Sequence, residues 1–342
     1  MSNPIRYDPL LVRALSAELR AALQGRSLHP QPVFDRDLSC TLLLDRGEAL
    51  RLDLHPSRGW IRLSANVREG ESAKVREDDG DLSARVLRVS APPDERLLRV
   101  DVHDGGRFRG ARRTLVVELH TNQWNALLVA SGDRRIVSVL RARDAGGRVL
   151  RAGAVYRPPH PTRRILPDRP RDVLWEAWTS ALAPLPPAER PRELVRRFAY
   201  TSPLNAAALL GPAAVEAGEA ALEDAFERWW EVADGDDAGG FLLRRSQPYP
   251  LPLEGMEPVR AASLLAAMET IAEAAPVEVE EAPPGPDLLG RARSRLAAAE
   301  KRVERIREEL AGVGQAERLR AQADLLLAHL DWAQPGDASV VL

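Results

Sequence analysis

Cysteine and lysine are nearly missing from this sequence. Its 342 residues contain one cysteine, Cys40, which excludes an internal disulfide framework and any site built on several thiolates, and which fits a reducing compartment. Lysine occurs only at Lys74 and Lys301, so the basic side chains are almost all arginine. Aromatic residues make up 5% of the chain. No run approaches the roughly 18 apolar residues of a membrane span, and Met1–Leu10 has no basic-then-apolar secretory profile. A cytoplasmic protein with no membrane partner is expected.

Catalytic signatures are missing as well. There is no Walker loop or glycine-rich phosphate fingerprint, and no Gly-x-Ser-x-Gly turn marks a nucleophile. His29, His55, His103, His120, His160 and His329 share no metal-ligand spacing with one another or with Cys40. We therefore expect no enzyme, no catalytic residue, no cofactor and no metal.

What is present is a charge asymmetry. Residues 1–170 hold 30 Arg and Lys against 21 Asp and Glu, whereas 171–342 hold 18 against 29. Within 84–164 there are 17 Arg and 7 acids. Such a local field suits a polyanion, because neutralising phosphates releases counterions. A GC-rich genome favouring arginine codons is the competing explanation.

Apolar spacing organises the rest. Val12, Leu15, Leu19 and Leu23 recur at helical steps, and Asp8-Pro9 is a start signal, so a helix is expected over 8–24. Eight short strands follow at Thr41–Leu44, Leu50–Leu54, Trp60–Leu63, Arg85–Val89, Leu97–Val102, Leu115–Leu119, Ala126–Val129 and Ile136–Leu140. Turn residues between several of them imply antiparallel pairing, and Asn66–Asp81 reads as a loop. The expected fold is α+β: a helix on an antiparallel β-sandwich or barrel over 1–167, then a helical domain over 168–282. Its helices are expected at Asp172–Leu182, Ala188–Phe198, Pro203–Leu210, Ala213–Val232 and Pro258–Ala275, with an unassigned segment at Phe241–Leu253. Leu289, Leu296, Val303 and Leu310 are spaced by seven, with Ala292, Ala299, Ile306 and Val313 three further on. That seam predicts a coiled-coil arm over 283–342 that needs a coiled-coil partner.

The trio Asp94-Glu95-Arg96 precedes an apolar run in the basic segment. It reads either as a phosphate contact or as a solvated turn with local acid–arginine pairing. Asn125, after Trp124, reads as a turn former, and the helical tryptophans Trp175, Trp178, Trp229 and Trp230 as core.

The order of these segments resembles the NFACT family, which includes ribosome-associated quality-control factors and proteins historically named as fibronectin-binding. The likeness is carried by Asp8…Leu15-Ser-Ala-Glu18-Leu19…Gly25-Arg26, by Glu118-Leu119…Asn125-Ala-Leu-Leu-Val and by Gly153-Ala-Val-Tyr156-Arg-Pro158-Pro159. It continues in Phe198…Ser202-Pro203…Ala206, in Tyr249-Pro250-Leu251-Pro252-Leu253 and in Gln315–Leu342. The resemblance implies an amino-terminal domain shaped like formamidopyrimidine glycosylases without their chemistry, a helix-hairpin-helix domain and a truncated coiled-coil arm. It implies binding of tRNA and of the obstructed large ribosomal subunit with its peptidyl-tRNA, and recruitment of aminoacyl-tRNA for carboxy-terminal tailing. The implied tRNA-binding residues are Asp8, Glu95, Arg96, Glu118 and Asn125. The family's Asp-Arg pair stands here as Glu95-Arg96. Three alternatives remain: a divergent paralogue acting as a coiled-coil scaffold without tRNA activity, a glycosylase-like DNA-binding protein, and an exported adhesin.

Overall fold

The computed structural model describes residues 5–56, 58–64, 84–105, 110–120, 123–145, 147–216, 218–235, 239–253 and 255–274. It also describes 300, 303, 304, 307, 318–325 and 327. The loop expected at Asn66–Asp81, most of the heptad seam and His329 lie outside these residues. The chain divides into two units, 1–276 and 277–342.

The first unit opens with helix α1, Pro9–Leu23, capped by the Asp8 carboxylate, which accepts a hydrogen bond from the Leu11 amide. Its apolar stripe, Leu11, Val12, Leu15, Leu19 and Leu23, is fully buried. Gly25, in the left-handed region at φ +83°, turns the chain out of the helix. The strands are β1 Ser27–Leu28, β2 Val33–Phe34, β3 Ser39–Leu43, β4 Ala49–Asp53, β5 Trp60–Ser64, β6 Ala84–Ser90, β7 Leu97–Asp104, β8 Ala111–Glu118, β9 Asn125–Ala130 and β10 Ile136–Val139. All eight expected strands are among them. The very short β1 and β2 offered too few residues for a visible alternation.

Two antiparallel sheets result, in the orders β1-β6-β7-β8-β9-β10 and β2-β3-β4-β5. On the inner face of the larger sheet, Val86, Val89, Leu98, Val100, Leu115 and Val117 join the α1 stripe and Leu50, Leu52 and Ile61 of the smaller sheet in one core. The outer face alternates with them. There Leu97, Val116, Leu127 and Val129 form a second, smaller core with Ile136, Leu150 and Tyr156. A hairpin of β11, Arg143–Ala145, and β12, Arg148–Leu150, carries Leu150 into that core.

The helical part begins with α2, Arg171–Leu182, and α3, Arg190–Arg197. Next come α4, Ala206–Leu210, and α5, Glu219–Asp234. Trp178 and Trp229 stack at 5.5 Å between ring centroids, with Phe198 and Phe226 packed edge-on or tilted around them. The helical tryptophans Trp178 and Trp229 are thus core residues. Three expectations need correction. The helix expected over Ala213–Val232 begins only at Glu219, because Gly211-Pro212 starts a short 3-10 turn and Gly218 is extended. The helix over Pro203–Leu210 begins at Ala206, because the Asn205 side chain accepts from the Ser202 amide and holds a turn there. The Phe241–Leu253 segment and the start of the next expected helix instead form a three-stranded sheet. Its strands are β13 Gly240–Leu243, β14 Gln247–Tyr249 and β15 Val259–Ala261, in the order β14-β13-β15. Helix α6 then runs from Leu264 to Ala274, and Glu18 of α1 accepts from the Leu264 and Leu265 amides at its start. A carboxylate at that end suits the helix dipole.

In the second unit the described residues are helical, and Val303, Leu319, Leu325 and Leu327 are exposed.

Candidate nucleic-acid interface

A cleft of about 650 Å³ opens in the first unit where the start of α1, the turn before β7 and the chain after β8 meet the segments 160–164 and 201–204. Asp8, Glu95 and Arg96 all line it, although nearly 90 residues separate the first from the other two.

The turn before β7 owes its shape to a distant partner. Asp94 sits in the left-handed region at φ +53°, with its side chain fully buried. Its carboxylate accepts from Arg164 Nε at 2.8 Å and Nη2 at 2.6 Å, and from the Tyr200 amide at 2.7 Å. Arg164 also donates to the Thr201 and Val195 carbonyls. The expected solvated turn with local pairing is therefore replaced by a bidentate ion pair across 70 residues. It joins the β-sheet to the helical part and presents the next two side chains to the cleft.

Glu95 accepts from the Thr162 amide at 2.7 Å. Burial raises its carboxyl above the ordinary value, and the Asp94 charge adds to that rise. Arg96 is half-buried, and its carbonyl accepts from the Leu119 amide, which keeps the residue in line with β7 and β8. Burial lowers the Arg96 guanidinium's pKa, and the nearby Asp8 charge opposes this.

Asp8 is engaged on every side: beyond the Leu11 amide, it accepts from Ser202 Oγ at 2.6 Å and Tyr249 Oη at 2.7 Å. Burial still raises its carboxyl above the ordinary value. Its influence on Arg96 is that of a nearby charge.

Glu118 and Asn125 do not line the cleft. Glu118, with no exposed side-chain surface, lies on the outer face of β8, where it pairs with Arg148 and accepts from Tyr156 Oη at 3.1 Å. Arg143 approaches it at 3.7 Å. Glu118 thereby anchors the β11–β12 hairpin. Asn125 exchanges two hydrogen bonds with the Arg141 backbone, 3.0 Å from Nδ2 and 2.9 Å to Oδ1. Because Arg141 does line the cleft, Asn125 is a positioning residue for it.

Arg141, His120, His160 and Arg164 are cleft residues that inspection of motifs missed. Arg141 donates to the Leu54 carbonyl at 3.1 Å while its Nε is buried without a partner among the described residues. His120 Nε2 is buried in the same condition. Burial lowers the His120 pKa, and the Arg96 charge adds to the shift. The one signal for these residues was the crowding of Arg and His on both sides of β9 and after Pro158-Pro159. An apolar wall completes the cleft: Trp124 stands edge-on to Tyr7 at 5.8 Å, and Leu54 and Leu119 lie nearby. Cationic and neutral donors beside an aromatic wall can hold a phosphate with an unstacked base. Among the described residues no three His, Cys, Asp or Glu side chains converge as a metal site, and no helix is long and apolar enough to cross a membrane.

The arginine excess is not one uniform field. Arg113 pairs with Asp104, Arg135 with Asp133, Arg151 with Asp144, and Arg143 and Arg148 with Glu118.

Among solved structures, the N-terminal part of the fibronectin/fibrinogen-binding protein of Streptococcus suis is 18% identical. It is matched over 79% of this chain and 100% of that one, with a TM-score of 0.61. The fibrinogen binding protein of Staphylococcus aureus is 16% identical over 77% of this chain and 97% of that one, with a TM-score of 0.58. These likenesses show a shared fold. No curated protein matches the sequence. The family model for NFACT N-terminal and middle domains matches residues 81–342. That match spans most of the chain and agrees with the shared fold, so this protein belongs to the NFACT family.

Proposed function

We propose that the protein is a ribosome-associated quality-control factor whose cleft binds tRNA. It acts on obstructed large ribosomal subunits carrying peptidyl-tRNA and recruits aminoacyl-tRNA for carboxy-terminal tailing, in the cytoplasm. Family membership supports the quality-control setting. The observation that carries the tRNA reading is the convergence of Asp8, Glu95 and Arg96 on one cleft with Arg141 and His120 beside them. Arg96 supplies the charge that meets phosphate. Asp8 and Glu95 shape its field, and Asn125 and Glu118 hold the surrounding backbone. The amino-terminal sheets and helix are read as glycosylase-like in shape, and residues 168–282 as the helix-hairpin-helix-like domain.

The test measures binding of tRNA and of large subunits by wild type and Arg96→Ala at two salt concentrations. Removing one phosphate contact weakens binding and flattens the salt slope by about 0.7–0.9. Equal binding by both proteins rejects the site, and binding independent of salt rejects the electrostatic account. A second reading, a scaffold acting through the carboxy-terminal arm, draws on the exposed Val303, Leu319 and Leu325. Association of the chain without any RNA dependence would favour it. Strand nicking of oxidised-base DNA and cell fractionation address the glycosylase and adhesin alternatives.

A further inference from the structure

Strand register places a group of cations on the outer face of the six-stranded sheet, away from the residues that line the cleft. Arg85 on β6 stands directly opposite His103 on β7, and His103 opposite Arg112 on β8. Arg88 lies opposite Asp101, and Arg99 shares that face of β7 by two-residue alternation. Arg85, Arg88 and Arg112 are exposed, and Arg99 and His103 are half-buried. Asp101 is the one carboxylate among them, and it accepts the Thr114 hydroxyl at 2.6 Å. Among the described residues no carboxylate lies within ion-pair distance of Arg88, Arg99 or Arg112.

Arg85, Arg88, Arg99 and Arg112 thus set four positive charges on this face against one described carboxylate, Asp101. A row that the described carboxylates leave largely uncompensated is therefore a surface suited to an external anion. We propose that this face is a second polyanion contact that binds the sugar–phosphate backbone of RNA without reading its bases. Adjacent strands are about 4.8 Å apart, so the backbones under Arg85 and Arg112 stand roughly 10 Å apart. That span follows successive phosphodiesters and overreaches a single phosphate or carboxylate. No aromatic side chain stands among these positions to insert into lipid; Leu87, at the bulge beside Arg88, is the single exposed large apolar side chain of β6 to β8 among the described residues, and the neighbouring outer-face residues Ser90 and Thr114 are polar. The field is thus that of a backbone clamp. It rests on the reading that the protein meets RNA but uses different residues from the cleft.

The experiment measures binding of a short oligouridylate and of tRNA to the full chain over a series of salt concentrations. The wild type is compared with the triple variant Arg88→Ala, Arg99→Ala, Arg112→Ala, with its lysine counterpart and with Arg96→Ala. In the alanine triple variant the slope of log K against log salt is expected to flatten by about 2, and affinity for both RNAs to fall roughly tenfold or more. The lysine counterpart keeps the wild-type slope. Should the alanine triple variant fail to fold, each single alanine variant is expected to flatten the slope by about 0.7. An unchanged slope overturns the proposal, as does a lysine variant as weak as the alanine one. Loss confined to vesicles of phosphatidylserine and phosphatidylcholine, with RNA binding intact, overturns it too. A flattened slope in the triple variant beside normal tRNA binding by Arg96→Ala supports this face while removing the cleft. A wild type that binds neither RNA removes both.

Discussion

At the scale of single residues, the buried charges carry the most energy. Asp94, with no exposed side-chain surface, is held in a bidentate pair by the partly exposed Arg164, and removing one partner of such a pair leaves a charge stranded. Asp94→Ala is expected to cost about 3–5 kcal/mol in urea unfolding. Asp94→Asn, which keeps an acceptor for the Tyr200 amide and tolerates the positive φ, should cost distinctly less. Asp8 gives a pH signature of definite sign. Burial holds its folded carboxyl above the ordinary value of 3.8. Between that value and the folded one, the native state binds more protons than the unfolded chain, so stability falls as pH rises through that interval. Unfolding measured across the acid range should show this fall in the wild type and not in Asp8→Asn. His120 moves the other way. Its pKa is depressed by burial and then by the charge of Arg96, so in an NMR titration it should protonate below the ordinary histidine range and move upward in Arg96→Ala.

At the scale of elements, the cleft depends on how closely two pieces of backbone and ring approach. Gly59, just before β5, lies at φ +77°, and a Cβ built there would stand 2.3 Å from the Trp124 ring. The Tyr7 hydroxyl donates to the Gly59 carbonyl at 2.5 Å, so one glycine seats two aromatic side chains of the cleft. Gly59→Ala should displace Trp124 and destabilise the protein by about 1–3 kcal/mol, visible as a changed tryptophan emission together with a lowered urea midpoint. The elements themselves were largely legible. The Asp8-Pro9 start and Gly25 stop of α1 are local chemistry, and each of the eight longer strands shows its apolar alternation or run within its own residues. The boundary of the helix expected from Pro258 was not legible, because whether Val259–Ala261 winds or pairs depends on β13 lying beside it.

For the molecule as a whole, one apolar cluster runs from Ile5 through both sheets and the aromatic group of Trp178, Phe198 and Trp229 to Ile271. A shared core of that extent predicts that the described residues of the first unit unfold together. Trp178→Ala should cost about 3–5 kcal/mol. Far-ultraviolet dichroism and tryptophan fluorescence of the variant should still trace one coincident unfolding transition. Two separated transitions would show that the β-rich and helical parts fold independently.

By itself the sequence determined the α+β class, the positions of α1 and the longer strands, the core tryptophans and the trio Asp94-Glu95-Arg96 as a place of interest. Caps, turns and periodicity act over a few residues and are written where they act. Tertiary structure alone decided that Asp94 answers to Arg164, that Asp8 shares a cleft with Arg96, and that Glu118 looks the other way. It alone separated the arginines paired with a carboxylate from Arg88, Arg99 and Arg112, which have none within ion-pair distance among the described residues. The reason is physical: burial and ion pairing depend on which side chains from distant stretches come within a few ångströms of one another, and two-residue alternation names a strand's face without naming what lies across it.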